Sequence, residues 1–222
     1  MFQHDLHRAG KNVQAGSPYR ALCSLAHGWP PDEESKQRRM VGSDDMAAGD
    51  MDSKLDRLVS KQEITEGIYR WARGADRVDV ATMQSAFHAD ANINYGPGDV
   101  PSGDFLQGIA AQHAADFEST RHIIFNVLID VEGDRATSEA GVDCRVRFKG
   151  ADGPCEMLVL GRYFDRWERR DGQWKIAHRF SVLDSYRVQD VVTNDQVDEW
   201  TSGIARGTRD SSDPSYEYVR LP

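Results

Sequence analysis

An aspartate near the end of a predicted helix and a histidine at the start of a predicted strand are the residues of this 222-residue chain best suited to chemistry. Asp76 follows Ile68 by eight positions and Ala72 by four, so it falls on the apolar stripe of the helix. A carboxylate there either reaches solvent and pairs with Arg73 or Arg77, or is desolvated and needs a partner. Because an aspartate at a helix C-terminus opposes the macrodipole, the second interpretation gains weight.

His122 lies near the start of the run Thr120–Val131, whose two alternating faces are both largely apolar. The face of His122 also carries Asn126, and apolar walls with a few polar groups are typical of a ligand pocket. A lone histidine is more often a core residue that donates to a backbone carbonyl. Together, Asp76 and His122 predict a general base, because a carboxylate that holds an imidazole is a recurrent proton-transfer arrangement.

The other histidines and cysteines show no metal-ligand spacing. His113 and His122 are nine residues apart, and the sequence has no HxxxH or HxH motif, so a zinc or iron site is not expected. Cys144 alternates with apolar residues and is predicted to be a small core residue. The opposite face of that strand carries charges and predicts a solvated or subunit-facing surface, formed by Glu139, Asp143, Arg145 and Arg147.

The elements that position these residues follow from periodicity and turn signals. A helix beginning at Ser53 carries Asp76 near its end, and shorter helices are predicted over Asp79–Phe87 and Gly103–Ser119, with a strand over Ala91–Gly96 between them. Four strands divided by turn signals follow, over Thr120–Val131, Arg135–Phe148, Cys155–Arg169 and Gln173–Val188. The many arginines of the last two are expected to pair with Asp165 and Glu168. Helices followed by an antiparallel meander predict an α+β fold with helices on one face of a curved sheet.

Composition limits the partners and the compartment. The net charge is -9, so the chain lacks the basic stripe of a nucleic-acid binder. No apolar run approaches the ~18 residues of a membrane span, and the first residues have no signal core. Three cysteines without CxxC spacing suggest reduced thiols and a cytoplasmic protein. The domain is expected over residues 52–188, between a flexible N-terminal extension (1–51) and a C-terminal tail (189–222) that is either a surface strap or disordered.

Three segments of this domain resemble the SnoaL-like branch of the nuclear transport factor 2-like superfamily. They are "IYRWARGADRVDVATMQSAFHADANINYG", "TRHIIFN" and "GRYFDRWERRDGQWKIAHR". The resemblance covers about residues 52–188 and implies a cone-shaped α+β barrel. This fold hosts dehydratases, isomerases, cyclases, epoxide hydrolases and non-catalytic subunits, so it does not by itself define a function.

The chain looks most like the cofactor-free lyases of that superfamily: scytalone dehydratase, bile-acid 7α-dehydratase and hexachlorocyclohexane dehydrochlorinase. Asp76 and His122 match the positions of their Asp–His dyad. Arg179 matches an arginine that assists the leaving group, and Tyr95 matches a tyrosine that orients water. Asp143 matches a polar pocket residue of two relatives, which contradicts its assignment to the solvated face and leaves both interpretations open. Trp71 replaces a lysine or tyrosine of the relatives, and Ala75 a tyrosine, so the pocket floor is expected to be larger and more aromatic.

The resemblance and the dyad together predict a lyase that needs no cofactor and acts on a hydrophobic, ring-containing small molecule. Loss of water is the first expectation, and loss of halide or of a small carbon fragment would use the same dyad. Substrate contacts are expected from Trp71, Phe125, Asn126, Asp143 and Tyr163. The alternatives are an isomerase of the ketosteroid-isomerase type, in which an aspartate shuttles the proton, and the non-catalytic small subunit of an aromatic-ring dioxygenase. A homodimer or homotrimer is expected, with no nucleic-acid or membrane partner.

Overall fold

The computed structural model describes the backbone of residues 48–219 and the side chains from residue 50. Its helices are α1 (Ala48–Arg77), α2 (Val80–Ser85), α3 (Ser102–Asp116), α4 (Asp195–Thr201) and α5 (Ser215–Tyr218). Its strands are β1 (Phe87–Asn94), β2 (Asp99–Pro101), β3 (Ser119–Glu132), β4 (Arg135–Lys149), β5 (Pro154–Arg170) and β6 (Gln173–Asp190). Helix α1 begins at Ala48, so it starts before the predicted Ser53 and takes in the end of the expected flexible extension. The rest of that extension, residues 1–47, lies outside the described residues.

The six strands form one open sheet in the order β2-β1-β6-β5-β4-β3. The meander β3–β6 is antiparallel and its strand bounds lie within two residues of the predicted ones, because each turn carries a clear sequence signal. Strand β1, however, pairs in parallel with β6 and antiparallel with β2, a short edge strand that the sequence did not indicate. The mixed α+β class is confirmed.

One face of the sheet, here called the inner face, packs against the helices and forms the core. Helix α1 contributes the predicted stripe, in which Ile64, Ile68, Trp71, Ala72 and Ala75 are all buried. The strands contribute alternate residues, among them Ala140, Tyr163, Trp167 and Ile176. The opposite, outer face has no helix on it in the described part of the chain.

The end of α1 is built for close contact with α2. A Cβ at Gly74 would come within 2.6 Å of the backbone nitrogen of Met83, so only glycine fits there. Val78 then turns the chain with a positive φ of 55°, and Asp79 caps α2 by accepting from Thr82 N at 3.0 Å. These contacts fix the helix end that carries Asp76.

The residues after β6 form a strap over the same helix end, which is one of the two predicted alternatives. Ser215 accepts from Arg73 at 3.0 Å, Asp213 lies 3.3 Å from Arg77, and Tyr216 donates to Asp79 at 2.9 Å. Arg209 donates to the backbone oxygens of His113, in the last turn of α3, at 2.8 Å and of Phe117, just after that helix, at 2.6 Å. Among the described helices, none has the length and apolar character to cross a membrane.

Candidate active site

The structure joins the two residues that the sequence analysis placed at the centre of the site. Nδ1 of His122 lies 2.7 Å from Oδ1 of Asp76, and both side chains are nearly buried. The backbone N–H of His122 also donates to the same carboxylate, at 3.0 and 3.1 Å. Asp76 therefore pairs with His122 rather than with a neighbouring arginine, and it ties the end of α1 to the start of β3.

The hydrogen bond defines the tautomer of His122. A carboxylate only accepts, so Nδ1 carries the proton, and in the neutral ring Nε2 keeps its lone pair. The Cys144 side chain also hydrogen-bonds the imidazole. Burial opposes a charge on the ring, but the sulfur of Cys144 and the carboxylate of Asp76 outweigh it and raise the pKa of His122 to about 10. At neutral pH the ring is therefore mainly the imidazolium, and its neutral form is a strong proton acceptor.

Two residues beside the dyad were not identified from the sequence as parts of a site. Cys144 faces His122 across the β3–β4 ladder and is half-buried. His113 of α3 is buried and hydrogen-bonds the backbone oxygen of Ala75, and burial lowers its pKa to about 4. The strict alternation around Cys144 could have placed it on the same face as His122. The position of His113 depends on how α3 docks on α1, which has no local signal.

Arg179, the predicted leaving-group arginine, lies in an aromatic box inside the molecule. Its Nε and Nη2 each donate to Asp165 at 2.7 Å, as expected for the pairing of hairpin arginines with Asp165. The guanidinium carbon lies 4.1 Å from the ring centre of Tyr163, 5.1 Å from that of Trp71 and 5.5 Å from that of Phe87. Burial opposes its charge, but the Asp165 carboxylate outweighs this and raises the pKa of Arg179.

The predicted tyrosine Tyr95 reaches the same interior. The centre of its ring lies 4.8 Å from that of Phe105 and 6.4 Å from that of Tyr163. Its hydroxyl hydrogen-bonds Ser181 and Tyr163. Burial raises the pKa of both tyrosine hydroxyls, so both stay protonated and remain able to donate. Trp71 lies between the two halves of the site, with its ring centre 6.4 Å from that of His122.

Phe125 and Asn126 do not line this interior, contrary to the prediction. A one-residue bulge interrupts β3 between Phe125 and Leu128, and Asn126 takes a positive φ of 49° there. Asn126 is exposed at the bulge, while Phe125 points to the outer face and packs over Gly141. Phe125 points outward in step with Ile123, so the regular alternation fails only after Phe125, and Val127 and Ile129 take the inward positions.

Asp143 likewise lies away from this interior. It is in register with Ile123 and Leu160 on the outer face, and its carboxylate lies 3.6 Å from Arg145. The assignment of this strand face from residue pattern alone was the correct one.

A groove of about 250 Å³ leads from the surface to the dyad between α1 and β3. It is lined by Tyr69, Ala72, Arg73, Asp76, Arg77, Arg121, His122 and Ile124. Three of these residues are arginines, and one of them, Arg77, pairs with Asp213. Within the described residues, no three His, Cys, Asp or Glu side chains converge as the ligands of a metal ion would.

Comparison with known proteins agrees with this architecture. The model of the SnoaL-like domain family matches residues 56–180. A putative scytalone dehydratase from Novosphingobium aromaticivorans is 22% identical, with a TM-score of 0.54 over 62% of this chain and 92% of its own. The hexachlorocyclohexane dehydrochlorinase LinA-type3 from Novosphingobium barchaimii is 20% identical, with a TM-score of 0.57 over 64% of this chain and 97% of its own. Kfla4162 protein from Kribbella flavida is 25% identical, with a TM-score of 0.54 over 59% of this chain and 95% of its own. No curated protein sequence matches the chain.

Proposed function

Because this chain belongs to the family of SnoaL-like domains, whose fold carries several chemistries, we propose from its dyad that it is a cofactor-independent lyase that eliminates water from a hydrophobic, ring-containing molecule. The observation that carries the proposal is the 2.7 Å contact between the buried side chains of His122 and Asp76. The dehydratase and dehydrochlorinase named among the structural neighbours support the same reaction class.

In this mechanism His122 is the general base. In the neutral form of the ring, Nε2 takes a proton from a carbon or hydroxyl of the substrate, and Asp76 stabilises the imidazolium that forms. A positioned base of this kind contributes about 100- to 10,000-fold to the rate. The neutral hydroxyl of Tyr95, or the guanidinium of Arg179, then donates to the departing oxygen.

The contacts of Asp76 weigh against the isomerase alternative. Both carboxylate oxygens already accept from the backbone or ring of His122. A carboxylate held this way supports a histidine base and is poorly placed to carry a substrate proton itself.

The test is a screen of hydroxylated and halogenated ring compounds with the purified protein, read by ultraviolet absorbance for new conjugation and by product mass. With a substrate found, His122→Ala should lower kcat by about 100- to 10,000-fold, while His178→Ala, on the outer face, should keep the wild-type rate. A much smaller loss for His122→Ala would favour an aspartate shuttle. A wild-type protein that eliminates nothing from any compound would contradict the lyase proposal.

A further inference from the structure

A second cavity lies between the end of α1, the end of α3 and the strap. Its volume is about 610 Å³, which is within the range of sites for small organic ligands. Residues of all three segments line it, among them Arg77, Ala114, Phe117 and Arg209. Of the described residues, only Arg77 lines both this cavity and the groove that leads to His122. The two spaces are therefore separate sites with one shared wall.

The guanidinium of Arg209 lines this cavity with one nitrogen in use and two unpaired. Nη1 donates to the backbone oxygens of His113 at 2.8 Å and Phe117 at 2.6 Å, which fixes the guanidinium against the end of α3. Nε and Nη2 are buried, and within residues 50–219 neither has a hydrogen-bond partner. Buried donors without an acceptor are destabilising and rare in folded proteins. An acceptor from a ligand would satisfy both atoms.

The two unpaired nitrogens have the geometry that a carboxylate fits. Nε–H and the adjacent Nη2–H of a guanidinium are parallel, so they can donate to both oxygens of one carboxylate. Burial lowers the pKa of Arg209, and the negative charge that opposes this effect is on Asp76, whose oxygens already accept from His122. A bound carboxylate would give Arg209 a direct counter-ion.

The other charges of the lining limit the ligand to one negative charge. Arg77 already has a counter-ion, since its Nε lies 3.3 Å from a carboxylate oxygen of Asp213. A phosphate dianion would meet one unpaired guanidinium and would be repelled by the carboxylates that also line the cavity. These are the side chains of Asp79, Glu118 and Asp210.

Two of these carboxylates are held by local donors rather than by Arg209. Asp79 accepts from the backbone of Thr82 at 3.0 Å and from the hydroxyl of Tyr216 at 2.9 Å. Asp210 accepts from the backbone N–H of Ser212 at 2.8 Å. Their oxygens are thus oriented by the turns that they cap, and the Nε and Nη2 atoms of Arg209 are left for a ligand.

We propose that this cavity binds the carboxylate of a small organic monoanion, with its oxygens on Nε and Nη2 of Arg209 and its apolar part against Val78, Ala114 and Phe117. This site does not depend on the proposed lyase function. Arg209 lies in the strap, outside residues 56–180 that match the family model, so the residue that holds the carboxylate lies outside the matched domain. A ligand here would bridge the strap and the ends of two helices.

Three probes that share one phenyl ring test the proposed chemistry. Benzoate is a monoanion, benzamide is its neutral isostere, and phenyl phosphate carries a second negative charge. Titration of each into ¹⁵N-labelled full-length protein, followed by NMR, gives both its affinity and its place of binding. Benzoate should bind more tightly than the other two, and it should move the side-chain Nε–H signal of Arg209 and the amide signal of Phe117. Benzoate that binds no more tightly than either other probe, or that leaves these two signals unmoved, would overturn the assignment.

The first variant removes the guanidinium. Arg209→Gln should lower the affinity for benzoate by about 10- to 100-fold, the value of a hydrogen bond to a charged group, and should change that for benzamide little. Arg206→Gln is the matched control, because Arg206 is an exposed residue of the same strap that donates to Thr201, and it should keep the wild-type affinity. An Arg209→Gln protein that binds benzoate as tightly as the wild type would contradict the proposal.

A second pair of variants keeps the test valid if Arg209→Gln releases the strap from α3. Ala114→Glu places a carboxylate in the cavity and keeps Arg209, so it should also weaken benzoate binding. Ala115→Glu makes the same change at the next exposed residue of α3, which is not among the lining residues, and should leave binding unchanged. Equal benzoate affinity in these two variants would overturn the site. Benzoate binding is measured without turnover, so its failure is distinguishable from a failure of the lyase proposal.

Discussion

The carboxylate of Asp76 accepts from both the backbone and the ring of one residue, His122, 46 positions along the chain. The backbone bonds orient the carboxylate, and its negative charge beside the imidazole then controls the charge state of the ring. The carboxylate of Asp76 thus both holds the start of β3 in place and sets the proton affinity of the His122 imidazole.

The first prediction concerns that proton affinity. In an NMR titration of histidine-labelled protein, His122 should titrate near its raised pKa of about 10. Asp76→Asn removes the negative charge that favours the imidazolium, so the midpoint should fall by about 1–3 pH units. Asp90→Asn, at an exposed carboxylate paired with Arg170, should leave the His122 titration in place.

The same pKa defines the direction of the pH–rate profile. A base acts only when neutral, so kcat/KM should rise with pH from neutral toward the His122 midpoint, and the rising limb should move to lower pH in Asp76→Asn. A His122 signal that titrates near 6.5 in both proteins would contradict the described electrostatics.

At the scale of single residues, the sequence was informative where two independent signals agreed. Asp76 was marked by an anomalous position on an apolar stripe, and His122 by a polar side chain on an apolar strand face. The inward position predicted for Asn126 is not observed, because a bulge with a positive φ gives no signal in an alternating sequence pattern. The buried, unpartnered nitrogens Trp71 Nε1 and Arg179 Nη1 could not be predicted either, since their surroundings result from the packing of several elements.

Among the elements, the contact of α3 with the end of α1 connects the fold to the site. His113 places its imidazole against the backbone of Ala75, next to Asp76, and its ring lies tilted against that of Phe117, with 5.2 Å between ring centres. A neutral buried histidine is suited to this position, because a charge there would face desolvation and the nearby His122.

This contact predicts an acid-sensitive stability. The pKa of His113 is about 4 in the folded protein and 6.5 for the free side chain, so the unfolded chain binds more protons between these values. The contribution is fully present above pH 6.5 and is lost as pH falls toward 4, by about 2–3 kcal/mol. His113→Gln should flatten this part of the curve of unfolding free energy against pH, measured with urea.

The matched control lies on the same helix. Gln107→Ala changes an exposed, uncharged residue of α3 and should keep the wild-type acid sensitivity. If His113→Gln is as acid-sensitive as the wild type, His113 is not the group that links pH to stability.

Element boundaries were predicted best where chain reversal needs special residues. The turns "EGD" and "RDG" contain Gly133 and Gly172, both with positive φ, and the strands around them were placed to within a residue or two. The start of α1 and the edge strand β2 were missed, because neither carries a strong cap or an alternating pattern. The parallel pairing of β1 with β6 depends on tertiary packing, and no local sequence signal predicts it.

On the scale of the whole molecule, the outer face of the sheet is the main surface that the described helices leave uncovered. It carries large apolar side chains that are 38–68% exposed, namely Ile123, Phe125, Leu128, Leu160 and Phe180. Ion pairs such as Arg162–Asp184 lie beside them on the same face. Apolar groups with a polar surround are typical of a subunit interface.

We therefore expect the protein to form a homodimer or homotrimer through this face. Phe125→Asp combined with Leu160→Asp should convert the assembly to monomers in light scattering coupled to size exclusion. Leu55→Asp, at an exposed apolar residue of α1 on the helical side, should leave the mass unchanged. A wild-type monomer, or a double variant that stays assembled, would contradict this interface.

The two hydrogen bonds from the backbone N–H of His122 to Asp76 have a consequence for how such a protein can evolve. They do not involve the imidazole, so a substitution at position 122 would leave the helix anchored to the strand. The reactive group is thereby exchangeable while its framework persists. This separation offers a route by which one scaffold could lose a chemistry, survive as a plain binding protein, and later acquire a different reaction.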